Sequence, residues 1–273
     1  MKLWLDGGLR DIESARVSVL DHGLTVGDGI FETVKAIDGR PFALTRHLER
    51  LARSARGLGL PEPDLDEVRR ACAAVLDANP MPLGRLRITY TGGLSPLGSD
   101  RGEHGPTLVV AVGETSRRAD STAAITVPWT RNERGALTGL KTTSYAENVV
   151  ALARAREQGA TEALFANTVG QLCEGTGSNV FVVLDGEIHT PPIASGCLAG
   201  ITRALTVEWT GAKETDLALD VLERAEEIFL TSTLRDVQAV NRVDARELPG
   251  TPGPVTAKAM RTFDERAGDD LDP

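Results

Sequence analysis

From Thr45 to Leu58 the apolar residues return every three or four positions: Leu48, Leu51, Ala52, Ala55 and Leu58 form one stripe, and Arg46, Glu49, Arg50, Arg53 and Arg56 crowd the rest. That period predicts a helix with one buried face, ended by Gly57 and Gly59. Just before it, Ile30 to Ile37 alternates with period two, and Asp38-Gly39-Arg40 turns it back as a hairpin. A chain that changes period so sharply must pack helices against sheet. Within the strand, Glu32 reads either as a group facing a site or as a polar position near a strand edge.

The remainder repeats the mixture. Strands are expected at Lys2 to Leu5, Ala15 to Val19, Arg85 to Tyr90, Thr107 to Val112, Ala123 to Pro128, Ala163 to Asn167, Asn179 to Leu184 and Glu227 to Leu230. Helices are expected at Asp64 to Ala78, Tyr145 to Gln158, Ile201 to Trp209, Leu217 to Arg224 and Pro254 to Arg266. The polar stretch 116–121 reads as a linker, dividing the chain into a small α+β domain over 1–115 and a larger α+β domain over 122–273.

Composition removes several classes of function. A net charge of −9 and a pI near 5.1 argue against a broad basic face for nucleic acid. No apolar run approaches the roughly 20 residues that cross a bilayer, and Met1 to Asp6 does not read as a secretory signal. Cys72, Cys173 and Cys197 are scattered and odd in number, so neither a disulfide framework nor a zinc pattern is available. A cytoplasmic protein without a metal site is expected.

Lys141 stands between an irregular stretch and the start of a helix. An amine at such a junction is fixed in direction yet able to reach a cleft, which suits a Schiff base with an aldehyde cofactor. Three further segments add chemistry. Glu174 precedes the small-residue loop Gly175-Thr176-Gly177-Ser178-Asn179, where a carboxylate could keep a pyridine nitrogen protonated. Gly200-Ile201-Thr202 opens a helix whose first amides could take a phosphate. Thr231-Ser232-Thr233 ends a strand in hydroxyls. Each segment alone also reads as an ordinary loop, cap or solvated acid.

Taken in order, Gly27 to Glu32, His47 to Leu51, Lys141 with Tyr145 and Asn148, Glu174-Gly175 with Ser178-Asn179, Gly200 to Arg203 and Thr231 to Thr233 resemble the fold-type IV pyridoxal 5′-phosphate enzymes. This class IV aminotransferase family includes branched-chain and D-amino acid aminotransferases and 4-amino-4-deoxychorismate lyases. The resemblance implies a D-amino acid aminotransferase-like α+β fold of two domains, a small N-terminal one and a larger C-terminal one carrying the cofactor lysine. The cofactor would lie between them, in a homodimer whose partner helps close each site. It implies that Lys141 holds the cofactor and shuttles a proton, and that Glu174 pairs with the ring nitrogen. Arg50, the amides of Ile201 and Thr202, and Thr233 would bind the phosphate. Tyr145, Ser178 and Asn179 would complete the cofactor's surroundings, with a small-molecule amine as substrate.

The same resemblance bears on the reaction. D-amino acid aminotransferases place an Arg-x-His trap in the loop corresponding to Leu94 to Ser99, where this chain has Leu97-Gly98-Ser99, and favour tyrosine where it has Phe31. Leu234 after Thr233, the Arg131-Asn132 pair and the short chain resemble the lyases. Arg131 and Arg235 are candidates to meet a substrate carboxylate, with Phe31 and Leu234 beside it. The expectation is therefore a lyase that releases pyruvate from aminodeoxychorismate to give 4-aminobenzoate. An aminotransferase is the alternative, and a non-catalytic cofactor-binding protein a remote one.

Overall fold

A computed structural model describes all of the 273 residues except Arg118. Arg118 belongs to the expected linker over 116–121, and that part of the expectation lies outside the described residues. Contacts group the chain into two units, Met1–Arg117 with Leu140–Ser144 and Leu271–Pro273, and Arg118–Gly139 with Tyr145–Asp270.

The described residues of the first unit form an antiparallel sheet from β1 (Lys2–Leu5), β2 (Gly8–Asp11), β3 (Gly29–Ile37), β4 (Arg40–Pro41), β5 (Leu83–Thr91) and β6 (Thr107–Glu114), in the order β2-β1-β6-β5-β3-β4. A short helix α1 (His22–Thr25) precedes β3, and α2 (Leu44–Leu58) and α3 (Leu65–Ala78) supply the helical layer. Period two puts Ile30, Val34 and Ala36 of β3 into a core with Leu48 and Leu51 of α2 and with Val68 and Val75 of α3. Each buried leucine contributes about 1.5–3 kcal/mol. Glu32 lies in that same row, so the strand's own pleat carries its carboxylate inward beneath α2. It is fully buried, not a polar residue at a strand edge.

Gly59 caps α2 in the left-handed region at φ 70°. Gly57 does not end the helix. A Cβ there would come within 2.5 Å of Leu140 Cδ2, so the glycine admits a leucine from the lysine segment. The strand expected at Ala15 to Val19 does not form. Val17 and Val19 are exposed, and the alternation there reflects no buried face.

In the second unit the described strands are β7 (Ser121–Arg131), β8 (Glu162–Asn167), β9 (Leu172–Gly175), β10 (Asn179–Leu184), β11 (Glu187–Thr190), β12 (Lys213–Glu214), β13 (Glu227–Ser232), β14 (Asp236–Val243) and β15 (Arg246–Glu247). They run in the order β12-β11-β10-β13-β14-β7-β8-β9, with β15 paired to β14. The helices are α4 (Ala146–Glu157), α5 (Ile201–Thr210), α6 (Val221–Arg224) and α7 (Pro254–Asp269). Val180, Val182, Ile228 and Leu230 build the core on one sheet face. Phe181 stacks on Phe229 on the other, with centroids 4.8 Å apart. The helix expected from Leu217 shortens to α6 because Leu217 O and Leu219 N–H bond Leu172 and Gly170, holding that stretch extended.

Sequence reading assigned Lys141 to the C-terminal domain. Contacts instead group Leu140–Ser144 with the first unit, because this segment pairs with the start of β3: Phe31 N–H donates to Lys141 O at 2.9 Å and Thr143 N–H to Gly29 O at 2.8 Å.

Candidate active site

The main chain of Lys141 is held from two directions. β3 takes its carbonyl through Phe31, and its N–H donates to Ser54 Oγ of α2 at 3.2 Å. The side chain is thereby aimed from a rigid base. Its Nζ lies 4.4 Å from the centroid of the Phe31 ring, and the Arg87 guanidinium carbon lies 3.3 Å from that centroid. The ring's negative quadrupole attracts both cations. Sequence reasoning passed over Arg87. Its usable signal was register, since Arg87 opposes Thr33 and Thr89 opposes Phe31 in the β3–β5 ladder.

Under this lysine lies a buried charge group. Arg50 Nε and Nη2 donate to the two Glu32 oxygens, each at 2.7 Å, and His47 Nδ1 lies 2.7 Å from Oε2. Burial alone would raise the Glu32 pKa. Arg50 and His47 outweigh it and hold the carboxyl far below its usual range. Burial lowers the His47 pKa despite the carboxylate beside it, and because the Glu32 carboxylate can only accept, Nδ1–H is the donor. Arg50 was expected to meet a phosphate. The structure spends two of its donors on Glu32, whose charge offsets its own.

A second ionic group ties down the loop between β5 and β6. Arg101 donates from Nε and Nη2 to both Asp28 oxygens at 2.7 Å, and also to the carbonyls of Leu58, at 2.7 Å, and Gly59. His22 bridges Asp28 and Gly98 O, each at 2.9 Å.

In the second unit, Glu174 Oε2 accepts Leu198 N–H at 2.9 Å, and Arg131 Nε stands 3.2 Å from Oε1. Arg131 also donates to Glu147 at 2.5 Å and to Asn148, and its guanidinium lies over the Phe165 ring at 4.0 Å. Expected to meet a substrate carboxylate, it stands in this structure as an ion-pair neighbour of Glu174. Arg235, the other expected carboxylate partner, is buried and donates to Thr161 O at 2.9 Å and to Gln238.

α5 begins at Ile201 after Gly200, with no side chain capping it. Its first N–H groups have no acceptor inside the helix and carry the positive end of its dipole. A Cβ on Gly200 would lie 2.1 Å from Asn179 Oδ1, so this approach needs glycine. Asn179 Nδ2 donates to Leu198 O at 2.9 Å, which fixes the incoming strand. Asn179 pairs with Thr231, whose buried hydroxyl has no hydrogen-bond partner among the described residues. Ser178 donates to Glu162 at 2.7 Å and is committed there. Tyr145 stands at the N-cap of α4, and Thr233 and Leu234 are half-buried in the β13–β14 turn.

Each unit by itself carries groups of the kind a pyridoxal cofactor uses: an amine on a fixed base in the first, and in the second a hydrogen-bonded carboxylate and an uncapped helix start with a buried, unpartnered hydroxyl on the strand beside it. The amino-transferase class IV family model matches residues 29–243. The chain belongs to amino-transferase class IV. This class IV chain is similar to a Methanocaldococcus jannaschii protein provisionally named a branched-chain-amino-acid aminotransferase, with 32% identity over 96% of this chain and 95% of that one. It is also 32% identical to the bifunctional aminodeoxychorismate lyase / D-amino acid transaminase of Mycobacterium tuberculosis, over 92% of this chain and 94% of the relative. Among solved structures it resembles the T.th. branched-chain amino acid aminotransferase complexed with N-(5′-phosphopyridoxyl)-L-glutamate. That match has a TM-score of 0.90 and 29% identity, and covers 97% of this chain and 93% of that one. The class IV chain is a fold-type IV enzyme, and pyridoxal 5′-phosphate is its cofactor.

Proposed function

We propose that this class IV enzyme is a lyase that releases pyruvate from 4-amino-4-deoxychorismate and leaves 4-aminobenzoate. The observation that carries this reading is the engagement of Arg101. In D-amino acid aminotransferases the corresponding loop presents an arginine to the substrate carboxylate. Here the only arginine of the β5–β6 loop is used by Asp28, Leu58 and Gly59. Leu234 and Phe31 support the same reading, as does similarity to a relative named for both aminodeoxychorismate lyase and D-amino acid transaminase activity.

Bound pyridoxal 5′-phosphate supplies an aldehyde that takes up amines and a ring that draws electrons from the substrate carbon. Lys141 is the residue assigned to hold it and then to carry the proton lost from substrate, through an amine aimed by Ser54 and Phe31. Glu174, which accepts Leu198 N–H and has Arg131 beside it, would face the ring nitrogen and keep it charged. The amides of Ile201 and Thr202, with Thr233 and Arg50, would hold the phosphate. Because Glu32 offsets Arg50, the α5 start carries the larger share. Arg87 offers a cation, already ordered on Phe31, for a substrate carboxylate. The ring C–O bond to the enolpyruvyl group would break with its electron pair leaving on oxygen, the enolpyruvate would take up a proton to become pyruvate, and the aromatic ring that results drives the step.

Transfer of an amino group to a 2-oxo acid is the second reading, favoured by the similarity to branched-chain aminotransferases. A homodimer belongs to either reading. It is supported by the exposed apolar run Val17, Val19, Leu20, Leu24 and Val26 in the first unit and by Val149 and Val150 on α4 in the second. Three buried free thiols suit the reducing cytoplasm.

The test supplies cofactor-loaded protein with 4-amino-4-deoxychorismate and follows 4-aminobenzoate and pyruvate. Parallel incubations with L-glutamate, L-leucine and D-alanine follow 2-oxo acid release. Aromatic product supports the lyase. Oxo acid release without aromatic product overturns it in favour of the aminotransferase, and turnover of none returns the non-catalytic binder.

A further inference from the structure

Helix α2 begins without a cap of its own. Ala43 precedes it in the left-handed region at φ 51°, with no polar side chain to meet the first amides, and the first turn lacks an acidic residue. The acceptor comes from 227 positions away. Asp272 Oδ1 accepts Thr45 N–H at 2.8 Å and Oδ2 accepts the Thr45 hydroxyl at 2.6 Å. Its neighbours complete the contact. Ala43 N–H donates to Leu271 O at 2.6 Å, and Arg46 Nε to the Pro273 main-chain oxygen at 2.7 Å. Thr45 Oγ1 also accepts from Arg69 Nη2 at 3.1 Å, so the cap is braced by α3.

The helix thus capped is the one that organises the first unit's half of the chemistry. Thr45 lies in the first turn, His47 follows within that turn, and Arg50 and Ser54 continue the same face. His47 and Arg50 clamp Glu32, and Ser54 accepts the Lys141 N–H. Fraying of the first turn would release His47 from Glu32 and loosen the alignment of the residues behind it.

We propose that Asp272 is a positioning residue for the cofactor: by capping α2 it sets Arg50 and the main chain of Lys141. The proposal rests on the reading that Lys141 and Arg50 hold the cofactor. A carboxylate at a helix N-terminus satisfies otherwise unused N–H groups and is favoured by the dipole. Here the capping residue is remote in sequence, so cofactor affinity depends on residues far from the chemistry.

The experiment titrates cofactor-free full-length protein with pyridoxal 5′-phosphate and, separately, with pyridoxal, following the visible band and tryptophan fluorescence. The proteins compared are wild type, Asp272→Ala, Asp272→Asn and Arg50→Ala. Asp272→Ala is expected to weaken pyridoxal 5′-phosphate about fivefold, as loss of a typical cap would, and pyridoxal by less. Asp272→Asn is expected to restore most of the affinity, since asparagine caps as well as aspartate. A lower melting temperature in Asp272→Ala with unchanged affinity overturns the proposal and leaves a purely structural anchor. Failure of Asp272→Asn to rescue overturns the capping route. Arg50→Ala separates the two readings. If it leaves the preference for the phosphorylated form intact, the assignment of Arg50 fails. If it reduces the preference while Asp272→Ala does not alter it, only the positioning role fails.

Discussion

Arg50 grips Glu32 through two parallel hydrogen bonds, Nε to Oε1 and Nη2 to Oε2, both at 2.7 Å and both buried. Such a pair is hard to break from one side, because the surviving charge stays in a medium that cannot solvate it. Glu32→Gln should therefore destabilise the protein by about 3 kcal/mol. The denaturant midpoint is the measurement, and an unchanged midpoint would mean that Arg50 reaches water. Because the folded Glu32 pKa is depressed, its stabilisation is present above the ordinary value of 4.5 and is lost as pH falls below it toward the folded value. Acid unfolding should accordingly be less steep in the variant.

Lys141 is assigned the central chemical role. Lys141→Ala should remove the visible absorption of the cofactor-loaded protein and reduce turnover by several orders of magnitude. Ser54→Ala, which deletes only the bond to the Lys141 N–H, should cost far less. Normal turnover in Lys141→Ala would end the mechanism.

Glu174 and Arg131 act as a pair at 3.2 Å. Glu174→Gln should leave cofactor binding largely intact and slow turnover at least tenfold, because an amide cannot keep a ring nitrogen charged. Arg131→Leu should slow turnover in the same direction without adding to the loss in the double variant. Additive losses would show that the two residues act independently.

Gly200 has no room for a methyl group, since its Cβ would fall 2.1 Å from Asn179 Oδ1. Gly200→Ala should displace either the α5 start or Asn179. The expected loss falls on pyridoxal 5′-phosphate more than on pyridoxal, measured as a ratio of dissociation constants. An equal loss for both ligands would remove the phosphate from this helix.

His22 faces an acceptor at each ring nitrogen, Asp28 and Gly98 O. A neutral ring has one N–H, so the cation serves both. The Asp28 bond first, then that to Gly98, raises its pKa above 6.5. The folded value being raised, the stabilisation is complete below 6.5 and is lost as pH rises through the folded value. Wild-type stability from denaturant unfolding should fall across that window, by roughly 1.5–3 kcal/mol for one charged hydrogen bond. The decline should be absent in His22→Asn, and a flat wild-type profile would refute the cationic histidine.

Local order was largely legible. The change from period two to period 3.6 located β3 and α2, because each period reports which side of an element loses water. It misled at Ala15 to Val19, where apolar alternation had no sheet to join, and at Leu217, where backbone pairing with Gly170 and Leu172 overrode helical spacing. The ordered series of short motifs carried the family and its cofactor, since phosphate, amine and carboxylate each demand a particular residue at a particular element boundary.

The sequence by itself determined the kinds of element, the family and the residue types available for chemistry. Tertiary structure decided which charges act on which. Nothing local marks Glu32 as the buried partner of Arg50, Arg131 as the support of Glu174, or Asp272 as the cap of α2. Nor does local spacing show that Lys141 packs with β3 and α2. A charged side chain in a sequence reads as solvated by default. Only the fold, by bringing an opposite charge or an unused N–H across 18 to 227 positions, turns it into a partner with a defined direction.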